Sequence, residues 1–357
     1  MTKRAYNFNA GPSAMPLEVL QQVQTEFLDF QGTGMSIVEI SHRSESYDRM
    51  HNETIALLRE LMGIPSGYEV MFIQGGGSMQ FLMSAANFFT KKRAGYIDTG
   101  IWAHKAMEAA SGYGEVYAVA SSADRHHSYI PQIYEIKSDT SYVHITANNT
   151  IYGTEFKIFP KFAVPLLCDM SSDILSRSVN VADFDLIYGG VQKNIGPAGV
   201  IVAIVKKELL ATARQDLPIM LQYKTFAAHN SLYNTPPVFC IYMVNKVLHW
   251  IKNQGGVVAM EKRNIEKAKL LYDAIDESNG FYQGHAEPAY RSNMNITFHL
   301  KMAELEKQFL DEAKENNFVG LKGHRLIGGC RASAYNAVPV EACEALARFM
   351  RAFKAKH

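Results

Sequence analysis

The stretch from Asp183 to Gly199 constrains this chain more than any other. An apolar run, Leu186-Ile187-Tyr188, leads into Gly189-Gly190-Val191-Gln192-Lys193-Asn194 and a Gly196-Pro197 break, and then into a second apolar run, Val200 to Val205. This pattern predicts two buried strands joined by a tight loop that carries Lys193. Partial desolvation there favours the neutral amine, and a lysine with a lowered pKa is what a Schiff-base nucleophile requires.

Upstream, Pro165-Leu166-Leu167-Cys168-Asp169-Met170-Ser171-Ser172 reads as a strand whose C-terminal end presents a carboxylate and two hydroxyls. An aspartate in that position can hold a protonated pyridine nitrogen while Lys193 binds the aldehyde of the same ring. Together the two describe a pyridoxal phosphate site. Taken singly, each has a plainer structural alternative: a buried lysine in an ion pair, and a strand-end aspartate acting as a cap.

With 357 residues, 47% of them hydrophobic, the chain can bury a large core, and usual domain sizes predict two domains. Thirty-six basic residues against thirty-five acidic ones give a net charge of +1, which calls for neither nucleic acid nor an anionic membrane as partner. Cys168, Cys240, Cys330 and Cys343 lie far apart, with no zinc spacing, and read as packing thiols in a reducing compartment. No metal site is expected. The start of the chain lacks the apolar run of a signal peptide and no segment reaches membrane-spanning length, so a cytoplasmic protein is expected.

Along the chain, a turn-rich arm, Asn7 to Ser13, must pack on something else to be ordered. A first helix is expected from Pro16 to about Gly32 and a second from Ser46 to Met62, with Ser41-His42-Arg43-Ser44 between them as surface charge or an anion-binding pair. The strand Tyr68–Gln74, the turn Gly75-Gly76-Gly77-Ser78 and a following helix make a phosphate site from free backbone N–H groups, without a dinucleotide or Walker sequence. Strands near 95–98, 116–119 and 143–146 alternate with helices, one of which opens at Trp102. This rhythm predicts a parallel sheet with ligand groups gathered at the strand C-termini. Beyond Lys193, Asn234-Thr235-Pro236-Pro237 starts a long helix over 238–252, followed by another over 257–276. A smaller α+β layer follows, with strands near 295–300 and 331–335, a helix over 303–316, a glycine-rich stretch over 320–329 and a last helix from Val340.

Set side by side, Asn9-Ala10-Gly11-Pro12, Ser41-His42-Arg43-Ser44, Gly75-Gly76-Gly77-Ser78, Gly189 to Asn194, Asn234-Thr235-Pro236-Pro237, and Lys322-Gly323-His324-Arg325 with Gly328 to Ser333 and Tyr335-Asn336-Ala337 resemble the phosphoserine aminotransferase family. These are class V aminotransferases of PLP fold type I, and the resemblance runs from residue 7 to about 340. It implies an α/β fold with a mostly parallel seven-stranded sheet in a large domain, residues 17–257. A small domain would combine residues 1–16 with 258–357. It further implies a homodimer with shared active sites that transaminates 3-phosphohydroxypyruvate with glutamate, giving phosphoserine and 2-oxoglutarate. The 3-hydroxy-4-phospho substrate of vitamin B6 synthesis stays open as a second substrate.

By motif match, Lys193 and Asp169 are the catalytic pair, and Trp102 stacks on the ring. Gly77, Ser78 and Gln192 would hold the cofactor phosphate together with Asn234 and Thr235 of the second chain, and Thr150 would contact the ring hydroxyl. Arg331 would take the substrate α-carboxylate, with His42, Arg43, His324 and Arg325 around the distal anion. Some family members carry arginine where this chain has Ser78. Other class V activities fit the residues less well: a desulfurase needs a mobile cysteine, a glyoxylate enzyme leaves two His-Arg pairs without an anion, and a non-catalytic relative would lose Lys193 or Asp169.

Overall fold

The computed structural model describes residues 4–357; the first three residues of the expected N-terminal arm lie outside the described residues. The central sheet has seven strands in the order Tyr68–Gly75, Gly199–Lys206, Leu186–Gly190, Leu166–Asp169, Thr140–Thr146, Arg93–Asp98 and Glu115–Ser121. Gly199–Lys206 runs antiparallel to both of its neighbours. The remaining pairs are parallel.

The apolar run after the lysine loop is explained by burial on both faces. Val200, Val202 and Ile204 enter one core, with the helices Glu45–Met62 and Val238–Asn253, while Ile201, Ala203 and Val205 enter the opposite one, with the helix Gly77–Phe88. A strand covered by helices on both sides has no polar face to alternate with. Its neighbour Leu186–Gly190 runs parallel to the next strand, Leu166–Asp169, so the loop carrying Lys193 and the turn after Asp169 emerge at the same edge. Gly63, left-handed at φ 63°, closes the Glu45–Met62 helix where the sequence predicts a stop.

A third core gathers Leu271 and Ile275 of the helix Gly256–Asp276 with Phe298, Phe309, Leu346 and Phe353. Above it lies a three-stranded antiparallel sheet of Tyr282–Gly284, Asn295–Leu300 and Cys330–Ser333. The N-terminal arm joins this part of the chain: Tyr6–Asn7 pairs in parallel with Phe318–Val319, and Phe8 is fully buried in the same core.

Two expectations are corrected. The first helix ends at Glu26, not near Gly32. There the carboxylate of Asp29 accepts from the Gly34 N–H and Phe30 bonds to the Met35 carbonyl, so a local turn displaces further helix. The C-terminal layer has a third strand, Tyr282–Gly284, in which Tyr282 alone is buried, so no alternation announces it. Among the described residues no helix is long and apolar enough to cross a membrane.

Candidate active site

Lys193 projects from the loop between the two strands toward Thr150 and Trp102, which come from two other segments. Its Nζ donates to Thr150 Oγ1 at 2.7 Å and lies 5.3 Å from the centre of the Trp102 ring. Burial pushes the ammonium down to about 8; Asp169 opposes the shift and Arg331 adds to it. Asp169 is itself buried, and desolvation raises its carboxyl against the pull of Lys193 and of Ser171. It is therefore an acceptor for which a second cation would be favourable.

Each of these side chains is placed by its local structure. Asp169 Oδ1 accepts from the Ser171 N–H at 2.8 Å, and Ser171 Oγ accepts from the Gly190 N–H at 3.0 Å, which locks the carboxylate to the end of the neighbouring strand. Thr150 sits in a turn built by Asn149, whose Oδ1 accepts from the Ile151 N–H at 3.1 Å and whose Nδ2 donates to the Thr99 carbonyl at 3.0 Å. Thr99 precedes Gly100, at φ +134°, where a Cβ would lie 2.5 Å from the Tyr152 ring. Only glycine allows the chain to turn there into the helix Ile101–Ala110 that carries Trp102.

The helix Gly77–Phe88 begins without a side-chain cap, so its first N–H groups are free, and a Cβ on Gly77 would lie 3.4 Å from Ser171 Oγ. The helix N-terminus thus faces the same serine that supports Asp169. Arg331 donates from Nη1 to the Thr150 carbonyl at 3.3 Å, and burial lowers its pKa. Gln192 Oε1, Trp102 Nε1 and Arg331 Nε are buried with no hydrogen-bond partner among the described residues. Unpartnered polar atoms around a lysine, a carboxylate and a free helix N-terminus fit a planar, anionic, aldehyde-bearing group such as pyridoxal phosphate.

Lys193, Asp169, Gly77, Ser78, Trp102, Thr150, Gln192 and Arg331 therefore belong to segments that meet at this edge of the sheet. His324 is half-buried beyond Arg331; burial lowers its imidazole, and the cations Arg331, Arg325 and Lys105 add to the shift. Among the described residues, no hydrogen bond, ion pair or ring contact links His42, Arg43, Asn234 or Thr235 to Lys193, His324, Arg325 or Arg331. His42 is buried in its own turn, Arg43 and Thr235 are exposed, and Asn234 donates only to the carbonyl of Thr235.

Several contributors escape the sequence reading. Lys105 stands 5.1 Å from the Trp102 ring, one helical turn further along, and only the i, i+3 spacing could have pointed to it. The N-terminal arm lies directly over the lysine loop: the Ser13 N–H donates to the Gln192 carbonyl at 3.1 Å and its hydroxyl donates to the Lys193 carbonyl. Gly11, at φ +148°, comes so close that a Cβ would lie 3.2 Å from Lys193 Cγ. The Tyr335 hydroxyl donates to the Ala10 carbonyl at 2.9 Å. Cys330 is buried, and desolvation pushes its thiol well up, which removes the thiolate a desulfurase would need.

Comparison with known proteins agrees with this geometry. The sequence profile "Aminotransferase class-V" matches residues 5–346. A phosphoserine aminotransferase of Lysinibacillus sphaericus is 56% identical over the whole of both chains, and one from Geobacillus kaustophilus is 55% identical over 99% of each. The solved phosphoserine aminotransferase of Bacillus circulans subsp. alkalophilus superposes with a TM-score of 0.97 at 52% identity, covering 99% of each chain. A PLP-bound phosphoserine aminotransferase from Trichomonas vaginalis gives 0.93 at 36% identity, covering 98% of this chain and all of that one. The chain belongs to the phosphoserine aminotransferase family, class V aminotransferases that use pyridoxal phosphate for a transamination in serine biosynthesis.

Proposed function

We propose that this enzyme transfers the amino group of glutamate to 3-phosphohydroxypyruvate, with Lys193 and Asp169 as its catalytic residues. The observation that carries this reading is the convergence of a desolvated lysine, a buried carboxylate, Trp102 and Arg331 on Thr150 and its surroundings. Pyridoxal phosphate, when bound, supplies an electron sink for the carbon that carries the amino group. Lys193 holds the aldehyde end of that cofactor between turnovers. Its neutral Nζ is the base that would take the proton from the substrate Cα. Asp169 would hold a proton on the pyridine nitrogen, and Trp102 would shield the ring from water.

The free N–H groups at Gly77 and Ser78, with Gln192, bind the cofactor phosphate. The Thr150 hydroxyl would orient the ring. Arg331 binds the α-carboxylate that every amino-acid substrate carries, and its unpartnered Nε leaves a second donor for that purpose. His324 and Arg325, with Lys105 nearby, supply positive charge for the distal phosphate or glutamate carboxylate.

The remaining basic and polar residues are assigned to a second copy of the chain. His42, Arg43, Asn234 and Thr235 have no partner in the site of their own chain. The segment leading up to His42 in the chain exposes Leu17, Phe27, Leu28, Met35 and Val38, with Leu28 81% exposed. This is the composition of a subunit contact, and a homodimer with shared sites is the assembly we propose. Within each chain, residues 17–257 form the large domain, while residues 1–16 and 258–357 form the small one, a division supported by the separate core around Phe8, Phe298 and Phe309. The four unpaired cysteines support the cytoplasm as its compartment. The reading is tested by a coupled assay that follows 2-oxoglutarate from glutamate and 3-phosphohydroxypyruvate; turnover with glyoxylate in place of the phosphorylated keto acid would reverse it.

A further inference from the structure

A buried polar seam joins the loop that carries Lys193 to the strand that carries Arg331. Asn194 Oδ1 accepts from the Asn336 N–H at 2.9 Å, and its Nδ2 donates to the Ile174 carbonyl at 2.6 Å. Asn336 Nδ2 donates to the Leu175 carbonyl at 2.8 Å, and its Oδ1 accepts from Asn264 at 2.7 Å. Asn264 also donates to the Ser176 carbonyl at 2.9 Å. On the same helix, Lys267 Nζ donates to the carbonyls of Ala334, Tyr335 and Val338 at 3.0, 2.6 and 3.1 Å.

Lys267 is 0% exposed, and Asn264 and Asn336 are each 1% exposed. Filling space between a helix and a strand end needs only apolar side chains, whereas buried polar groups are costly unless every one finds its partner. Apart from Asn264 Oδ1, which has no hydrogen-bond partner among the described residues, the seam's side-chain groups find their partners in one relative placement of three backbone segments: the turn after Asp169, the loop with Asn194 and the stretch after Arg331. The sequence already marks Asn194 and Asn336 within its motifs, yet no step of the reaction uses either side chain. We propose that Asn194, Asn264, Lys267 and Asn336 are positioning residues that fix the separation of Lys193 and Arg331, and so align the substrate Cα with the lysine amine. The proposal rests on the reading that Lys193 and Arg331 face one substrate.

The test is a double-mutant cycle on the holoenzyme with Asn194→Ala and Lys267→Met, which act on opposite ends of the seam. Each single variant is expected to lose about 5- to 10-fold in kcat/KM for glutamate, the scale of one net hydrogen bond, and the double variant no more than the worse single. Amide hydrogen exchange in residues 330–338 should accelerate in Asn194→Ala, whose mutated side chain reaches that segment only through the Asn336 N–H. Leu346→Ala, a cavity in the C-terminal core, should lower Tm while leaving kcat/KM within about twofold, which separates positioning from general stability. Multiplicative losses in the double variant, or normal kcat/KM and exchange in Asn194→Ala, overturn the proposal. If Lys267→Met fails to fold, Asn194→Ala decides the matter through its own kcat/KM and exchange. Arg331→Gln checks the underlying reading separately: if it binds glutamate as the wild type does, the assignment of Arg331 fails. A defective Arg331→Gln beside a normal Asn194→Ala refutes the seam alone.

Discussion

Thr150 stands between Lys193 and Arg331 and is touched by both: its hydroxyl accepts from Lys193 Nζ at 2.7 Å and its carbonyl accepts from Arg331 Nη1 at 3.3 Å. Desolvation is the main cause of the lowered lysine pKa, and the guanidinium adds to it. Because the neutral amine is the reactive form, its fraction grows as pH rises through the pKa. Capture of pyridoxal phosphate by the apoprotein should therefore rise with a midpoint near the pKa of about 8 and level off above it. It should be roughly a hundredfold slower at pH 6 than at the plateau. Arg331→Gln should move the midpoint upward, and a wild-type midpoint near that of free lysine would remove the argument from burial.

Asp169 tests whether the carboxylate tunes the cofactor or merely anchors it. Asp169→Asn keeps shape and removes charge, so kcat should fall by about two orders of magnitude or more, a loss of roughly 3 kcal/mol of transition-state stabilisation. Cofactor content, read from visible absorbance after dialysis, should change far less. The opposite pattern would make Asp169 an anchor.

Gly11 tests the role of the N-terminal arm over the lysine loop. Gly11→Ala places a methyl 3.2 Å from Lys193 Cγ on a backbone at φ +148°. Strain of this kind costs about 1–3 kcal/mol. Thermal unfolding should shift down accordingly, and cofactor capture should slow, because the displaced stem is that of the reactive lysine. A variant with wild-type Tm and capture rate would show that the arm yields freely.

The proposed sharing of sites between two copies of the chain is tested by mixing subunits. Arg43→Ala and Lys193→Ala homodimers should each be impaired, Lys193→Ala almost completely. Hybrids of the two should regain one intact site, provided Arg43 acts on the partner's substrate. With 3-phosphohydroxypyruvate, Arg43→Ala and Arg325→Ala should each raise KM about ten- to a hundredfold, the cost of one charge-assisted contact. Slow turnover of unphosphorylated substrates should change little.

The sheet and its loops were legible because their signals are local. Val200 to Val205 is apolar at every position since both of its faces are covered, and Gly63 stops its helix where the sequence says it should. Lys193 and Asp169 could be paired from sequence because one follows and the other ends neighbouring parallel strands of one sheet. The three-residue strand at Tyr282 and the early end of the first helix were not legible, since each depends on contacts with distant or nonperiodic residues. The same holds for Ser13: tertiary proximity to Lys193 gives it its place, and no spacing encodes proximity across 180 residues.

The account rests on Lys193 being the lysine that binds the cofactor, and the chain offers a close internal control. Lys267 is fully buried and its pKa, like that of Lys193, is lowered to about 8 by burial, but its three donors are committed to backbone carbonyls, whereas Lys193 gives one to the Thr150 hydroxyl. Borohydride reduction of the holoenzyme followed by peptide mapping distinguishes the two directly. The reduced cofactor should be found on the peptide containing Lys193 and be absent from that containing Lys267; label on Lys267, or a Lys193→Ala enzyme that still fixes the cofactor, would contradict the account.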